Sequence, residues 1–278
     1  MEPLRFSADD GEEIRVQVRG DGPPLVLLHE WASSHRVWEP IAHRLADRFT
    51  LYRWDARGHG GRPGTAYPVT VERMADDLRD LIDHFRLDRP MVVGHSMGAL
   101  TLWAYIARYG CGRLGRIGVI DQSPRLVTDA GWRLGIYGDW PEERDRAFVE
   151  SLRADFVRTV TLLIAMGLNR TARHRYDSDH PSQERLRLYL RMLHREPLIE
   201  VWTTLTGADF RPVLPSIDVP ALLVYGAESN FYLPATGAYV RDAIPDAQLL
   251  VYDGADHSPH VNQPDRFAAD VTRFFDDH

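Results

Sequence analysis

Short, uninterrupted apolar runs recur along the chain, and segments with helical spacing separate most of them. These runs do not alternate polar with apolar residues, which is typical of strands buried on both faces of a parallel sheet. Between two runs, Met74, Leu78 and Ile82 follow the three-and-four spacing of an amphipathic helix. The pattern predicts an α/β fold, a doubly wound and mostly parallel sheet with helices on both faces, whose strands include 25–28, 51–54, 91–93, 117–120, 222–225 and 249–252.

Two parts of the chain depart from this alternation. Alternating polar and apolar residues predict an N-terminal hairpin over 4–18, which turns at Asp9-Asp10-Gly11. The long interval before the last two strands carries helical patterns, at 148–168 and 185–193, and no convincing strand. We therefore expect one core domain with one helical insertion: residues 1–121 and 216–278 form the core, and residues 122–215 form the insertion.

The charge and cysteine content narrow the classes of partner. The formal net charge is −7, and no basic stripe would replace the counterions of a nucleic acid, so we expect no nucleic-acid partner.

Cys111 is the single cysteine, and the first ten residues lack the basic and apolar regions of a signal peptide. No apolar run approaches the roughly 18 residues of a membrane span. We expect a cytoplasmic enzyme with no membrane partner and leave the oligomeric state open.

One pentapeptide carries the strongest chemical signal. Gly94-His95-Ser96-Met97-Gly98 fits G-x-S-x-G, in which a serine occupies a tight turn between a strand and a helix. The motif alone is common, but here it follows the apolar run 91–93 and opens the helix-like stretch 99–109, which is the context it requires. We interpret Ser96 as a nucleophile. A serine that only caps the following helix is the alternative.

With this motif the sequence resembles the α/β-hydrolase superfamily over nearly the whole chain apart from the insertion. Three further segments carry the resemblance, in the family's order. They are Leu27-Leu28-His29-Glu30-Trp31 at a strand end, the turn Asp55-Ala56-Arg57-Gly58-His59-Gly60, and Gly254-Ala255-Asp256-His257. The resemblance implies that the backbone N–H groups of Trp31 and Met97 form an oxyanion hole.

Glu30 departs from the family, which usually has glycine at this position. An extra carboxylate could face the site here, and a glutamate that faces solvent is an equally good interpretation.

His257 is the predicted base, because a serine hydroxyl needs an adjacent imidazole to become a good nucleophile at neutral pH. It follows the last strand and a turn at Gly254, as the order serine, acid, histidine requires. His260, three residues later, is the competing histidine, and we assign it a supporting role because His257 occupies the family position.

The acid is less simple, because the commonest family position for it holds Ser229 in this chain. Glu228 lies beside that position and is the alternative acid. We prefer Asp121, at the end of the preceding strand, where a subset of the family places its acid, because both strand ends face the same crevice. A purely structural role for Asp121, capping its own turn, also fits.

The chemistry that follows is acyl transfer to water. The insertion lies in the family's usual cap position and is rich in large apolar and aromatic residues. We predict a serine esterase acting on a small hydrophobic or aromatic ester or lactone, without cofactor or metal, because no paired ligand spacing or Cys cluster is present. Packing of the cap onto the sheet explains most of these aromatic residues equally well. The predicted pocket residues are Glu30, His95, Trp132, Trp140 and Trp202.

A second resemblance, to the cofactor-independent dioxygenases of hydroxy-quinolones, rests on 31–38, on the turn that follows Trp54 and on Asp121. That branch implies that His257 and Asp121 deprotonate an aromatic hydroxyl, whose anion reacts with oxygen. Ser33 and Met97 stand where the branch has histidines, which favours the hydrolase. Perhydrolysis or cofactor-free haloperoxidase activity with the same residues stays open.

Overall fold

The computed structural model describes residues 3–61 and 65–277. Within them, eight strands form one sheet in the order β1-β2-β4-β3-β5-β6-β7-β8. The pairs from β4 through β3 to β8 are parallel, whereas β1 and β2 form the predicted antiparallel hairpin. The predicted α/β fold is confirmed. The strands are β1 (Leu4–Ser7), β2 (Glu13–Arg19), β3 (Pro24–Leu28), β4 (Thr50–Asp55), β5 (Met91–His95), β6 (Arg116–Ile120), β7 (Ala221–Gly226) and β8 (Ala247–Tyr252).

Helices connect the parallel strands and cover the sheet. They are α1 (Glu39–Leu45), α2 (Val71–His84), α3 (Met97–Tyr109), α4 (Glu142–Ala154), α5 (Phe156–Ala165), α6 (Arg170–Asp177), α7 (Pro181–Arg191), α8 (Arg195–Gly207), α9 (Pro234–Ala243), α10 (Pro259–Asn262) and α11 (Pro264–Asp277). Short 3-10 helices lie at His35–Trp38, Ile136–Gly138 and Leu214–Ser216.

The central strands are buried on both faces, as their unbroken apolar runs predict. In β3, Leu25 and Leu27 belong to a core that includes α1 and α11, and Val26 and Leu28 belong to the core on the other face, with α2 and α3. All four side chains are fully buried. Since side chains alternate along a strand, an apolar residue is needed at every position. This double covering fixes the carboxyl ends of the parallel strands along one edge.

The insertion consists of helices α4 to α8, between β6 and β7. Its two ends lie side by side, because the Phe210 N–H donates to the Pro124 carbonyl at 2.9 Å. The helical pattern over 148–168 divides between α4 and α5 at Asp155, whose extended backbone (φ −149°) ends one helix and whose side chain caps the next by accepting from Arg158 N–H. The insertion therefore leaves and re-enters the core at one place. No helix among the described residues is both long and apolar enough to cross a membrane.

Candidate active site

Ser96 lies on a strained turn between β5 and α3. Its backbone has φ 53° and ψ −117°, and its N–H donates to the Ile120 carbonyl at 3.1 Å. The flanking glycines are required by close approach: a Cβ at Gly98 would lie 2.2 Å from the Leu28 carbonyl oxygen, and one at Gly94 would lie 2.4 Å from the Gly98 carbonyl carbon. The turn presents the partly exposed Ser96 at the carboxyl edge of the sheet.

His257 and Asp121 meet at this edge. His257 lies in the turn after β8, and Asp121 is the first residue after β6. The His257 Nδ1 lies 3.3 Å from the Asp121 Oδ2, and both residues are buried. Burial raises the pKa of Asp121 well above its ordinary value and lowers the pKa of His257 well below its own. At neutral pH the His257 imidazole is therefore uncharged and able to accept a proton.

The loop after β7, where the family's commonest acid position falls, supports this pair with polar groups. Ser229 is buried there, and hydrogen bonding from its side chain lowers the pKa of Asp121 against the effect of burial. The Asn230 Oδ1 accepts a hydrogen bond from the His257 backbone N–H at 3.3 Å. Glu228, the alternative acid, is exposed to solvent, and among the described residues its side chain makes no ion pair or hydrogen bond with His257.

Glu30 faces the site and pairs with a second imidazole. Its Oε2 lies 3.2 Å from the His95 Nδ1, and the His95 Nε2 lies 2.8 Å from the backbone carbonyl of His257. Burial is the largest single effect on Glu30 and opposes its charge, but the hydrogen bond with His95 and the positive charges of His95 and His29 together outweigh it and lower the pKa of Glu30 to about 2. The carboxylate is therefore charged at neutral pH.

His260 is fully buried and packs against two neighbouring rings. Its ring centroid lies 4.6 Å from the ring of Trp38 and 4.6 Å from the ring of His95. It packs behind His95, away from Asp121, while His257 makes the contact with that carboxyl group. Of the two histidines that the sequence offers as the base, it is therefore His257 that contacts Asp121.

Trp31 and Met97, whose backbone N–H groups form the predicted oxyanion hole, line the same cavity as Ser96. Met97 is the first residue of α3, where an N–H group has no acceptor within its own helix, and Trp31 follows Glu30 in the loop after β3. Within residues 3–61 and 65–277, neither N–H donates to another protein group. Among the described residues, no hydrogen bond joins Ser96 to His257, although both residues line one cavity. Such bonds are often long or poorly aligned before substrate binds.

The cavity over Ser96 has a volume of about 370 Å³. Core residues, among them Glu30, Trp31 and Met97, form its floor. The insertion supplies an apolar wall that includes Val160, Leu163, Ile164, Leu186, Leu190 and Trp202. An apolar wall of this kind is suited to the apolar part of a small ligand.

The structure places the five predicted pocket residues in different parts of the molecule. Glu30 and Trp202 line the cavity, and His95 lies buried behind its floor. Trp132 lies elsewhere, packed on Tyr239 with ring centroids 4.9 Å apart. Trp140 lines a separate cleft of the insertion. The assignment of Trp132 and Trp140 to the pocket therefore disagrees with the structure, because packing within the insertion and onto the core buries both rings.

Sequence reasoning missed a polar group behind Asp121. The Tyr225 hydroxyl donates to the Gln122 backbone carbonyl at 2.5 Å, and the Tyr232 hydroxyl donates to the Gln122 side-chain oxygen. Tyr232, Gln122 and Asn230 all line the cavity. The sequence did contain a signal for this group: Gln122 follows Asp121, and Asn230 and Tyr232 come soon after Ser229. Polar residues next to a predicted acid are candidates for the hydrogen bonds around it.

Known proteins share both the sequence pattern and the architecture of this chain. A family model described as "alpha/beta hydrolase fold" matches residues 23–264. The chain is 30% identical over 266 residues to pimeloyl-[acyl-carrier protein] methyl ester esterase of Sodalis glossinidius, covering 93% of this chain and 96% of that protein. It is 25% identical over 262 residues to 3-oxoadipate enol-lactonase 1 of Acinetobacter baylyi, with 92% and 91% covered. An esterase from Exiguobacterium antarcticum has the same fold, with a TM-score of 0.85, 20% identity and 99% of each chain covered.

Proposed function

Because this chain belongs to the α/β-hydrolase fold family, we propose that it is a serine hydrolase that cleaves a small hydrophobic or aromatic carboxylic ester or lactone. One observation carries the proposal: Ser96 and His257, which contacts Asp121, line one cavity together with Trp31 and Met97, whose backbone N–H groups have no protein acceptor among the described residues. These are the parts that acyl transfer requires, namely a nucleophile, a base, an orienting acid and an oxyanion hole.

In the proposed mechanism, the neutral His257 removes the proton of the Ser96 hydroxyl as its oxygen attacks the ester carbonyl. Negative charge then develops on the carbonyl oxygen, where the N–H groups of Trp31 and Met97 stabilise it. The imidazolium that forms lies against Asp121, where its positive charge favours the ionised form of this buried acid, and the carboxylate in turn stabilises the imidazolium. His257 next protonates the leaving alkoxide, and an acyl group remains on Ser96. Water, activated by His257 in the same way, hydrolyses that acyl-enzyme.

The cavity and the relatives support the substrate class. The wall that the insertion provides is apolar, so an alkyl or aromatic group next to the ester would be buried there. The relatives are named for a methyl ester and an enol lactone, which are both carboxylic esters. We propose further that the insertion, residues 122–215, acts as the cap that selects the substrate, since most of the apolar residues that line the cavity belong to it.

Cofactor-independent oxygenation is the second candidate, favoured by one observation: the acid that contacts His257 follows β6, the position that the hydroxy-quinolone dioxygenases also use. In that reaction His257 would deprotonate the substrate, and Ser96 would not form an acyl bond. The two candidates therefore differ in their dependence on Ser96.

The test compares wild type and Ser96→Ala on a panel of p-nitrophenyl esters at neutral pH under air. We expect turnover in wild type, a loss of at least roughly 10³-fold in Ser96→Ala, and an acyl adduct on Ser96 detectable by mass spectrometry after rapid quenching. Oxygen uptake with hydroxy-quinolones by both proteins, without ester turnover, would instead establish the second candidate.

A further inference from the structure

Gln183 is a polar side chain of the cavity that the proposed mechanism does not use. Gln183 lies near the start of α7 and lines the cavity, and only 7% of its surface is exposed. Its side-chain oxygen, Oε1, has no hydrogen-bond partner among the described residues. A buried oxygen without a donor costs roughly 1–3 kcal/mol, so such an atom calls for an explanation.

The position of Gln183 on its helix is one where packing alone favours an apolar residue. Gln183, Leu186 and Leu190 follow the three-and-four spacing of one helix face, and all three line the cavity. Leucine at position 183 would continue this apolar face. The amide therefore interrupts the apolar wall of the cavity with a polar group.

Other polar side chains of the cavity are already engaged within the protein. The Gln122 side-chain oxygen accepts from Tyr232, the Asn230 Oδ1 accepts from the His257 N–H, and Glu30 pairs with His95. Gln183 differs from them because its Oε1 accepts no hydrogen bond from any of the described residues.

The apolar surroundings of Gln183 narrow the chemistry of the missing donor. Leu186 and Leu190 lie on the same helix face, and an ammonium group placed against them would lose hydration that an apolar wall does not replace. A carboxylate or phosphate carries no proton to give to Oε1. A neutral donor remains, which is a hydroxyl or an amide N–H.

We propose that Gln183 determines substrate specificity by accepting a hydrogen bond from a hydroxyl or amide N–H group on the part of the ester that the cap encloses. This inference rests on the proposed hydrolase function and names a narrower substrate class: esters that are apolar along most of their length and carry one neutral donor away from the scissile bond. A site built to hydrogen-bond a substrate hydroxyl discriminates against the analogue that lacks it.

The test uses matched pairs of p-nitrophenyl esters that differ by one hydroxyl, such as hexanoate with 6-hydroxyhexanoate and phenylacetate with 4-hydroxyphenylacetate, in a series of chain lengths. For wild type we expect kcat/KM for the hydroxylated member to exceed that of its partner by roughly tenfold at the best length. Gln183→Met, which keeps the side-chain length and removes the acceptor, should bring that ratio close to one, and Gln183→Leu provides a second variant. Leu186→Met, one turn along the same helix face, changes shape without polarity and should keep the wild-type ratio.

A ratio that is the same in wild type and Gln183→Met at every length would overturn the inference, and so would an equal loss in Leu186→Met. Failure of the proposed function is recognised separately, because wild type would then hydrolyse none of these esters. In that case the inference is tested by binding alone, with methyl 6-hydroxyhexanoate and methyl hexanoate titrated against the tryptophan fluorescence of the protein, to which Trp31 and Trp202 of the cavity contribute. Tighter binding of the hydroxylated ester by wild type, lost in Gln183→Met, would support it, and equal binding would overturn it.

Discussion

The Nδ1 of His257 lies 3.3 Å from the Oδ2 of Asp121, although the two residues are 136 positions apart in the chain. Parallel strands bring them together, because β6 and β8 both end at the same edge of the sheet with β7 between them. Asp121 adopts a left-handed backbone (φ 42°), which is uncommon for a residue other than glycine, at the point where the chain leaves β6. Such strain is concentrated at functional sites.

The first prediction concerns this contact. Asp121→Asn keeps the shape of the side chain but removes the charge that stabilises the His257 imidazolium, so we expect kcat to fall by roughly 10³- to 10⁴-fold. Glu228→Gln is the matched control, because Glu228 is exposed, and it should leave kcat unchanged. Steady-state kinetics on the best ester of the panel measures both. A loss in Glu228→Gln with full activity in Asp121→Asn would assign the acid to the other loop.

The sequence predicts the sheet and the turn at Ser96 because both depend on local patterns. Strands buried on both faces need apolar residues at every position, and the turn needs glycine at 94 and 98, where any side chain would collide with backbone atoms. These requirements are visible in a short window of sequence. The fold and the position of Ser96 therefore follow without knowledge of long-range contacts.

The surroundings of His257 could not be derived in the same way. Whether Asp121 or Glu228 contacts His257 depends on the directions of two loops, which no local pattern encodes. The same holds for Glu30, whose orientation toward His95 or toward solvent depends on how the loop after β3 packs against His95. The tryptophans of the insertion are a third example, because the same aromatic residue serves packing at 132 and lines the cavity at 202.

The second prediction concerns pH. His257 must be neutral to accept the serine proton, and burial lowers the pKa of His257 well below its ordinary value of 6.5. Activity is lost only when the pH falls below the pKa of this base, so we expect kcat/KM to stay level as the pH is lowered through 6.5 and to decline at more acidic values. The negative charge of Glu30 raises the pKa of His257, and Glu30→Gln should therefore move the decline to still lower pH.

The pH dependence of kcat/KM for wild type and Glu30→Gln, measured with an ester whose leaving group is detected independently of pH, checks both statements. A half-maximal value at or above pH 6.5 in wild type, or a shift to higher pH in the variant, would contradict the stated effect of burial or of Glu30.

The third prediction concerns the strain at Ser96. The backbone there has φ 53° and ψ −117°, a conformation that glycine adopts far more readily than serine. We expect Ser96→Gly to abolish turnover and to raise the free energy of unfolding by about 1 kcal/mol, which corresponds to roughly 2–4 °C in Tm. Ser96→Ala is the control, because it removes the hydroxyl but keeps the Cβ, and its Tm should stay near that of wild type. Equal Tm values for glycine and alanine at this position would mean that the turn stores no strain.

The fourth prediction separates the two kinds of buried tryptophan in the insertion. Trp202 lines the cavity and packs against Trp31, with ring centroids 4.8 Å apart, so Trp202→Leu should raise KM for apolar esters by roughly tenfold through lost contact area. Trp132 is as deeply buried but lies outside the cavity. Trp132→Leu should therefore lower Tm about as much as Trp202→Leu does, while leaving KM and kcat unchanged. Thermal unfolding and ester kinetics on both variants make the comparison. An equal rise of KM in the two variants would mean that the effect comes from loosening the insertion as a whole, because lost contact with the substrate would raise KM in Trp202→Leu alone.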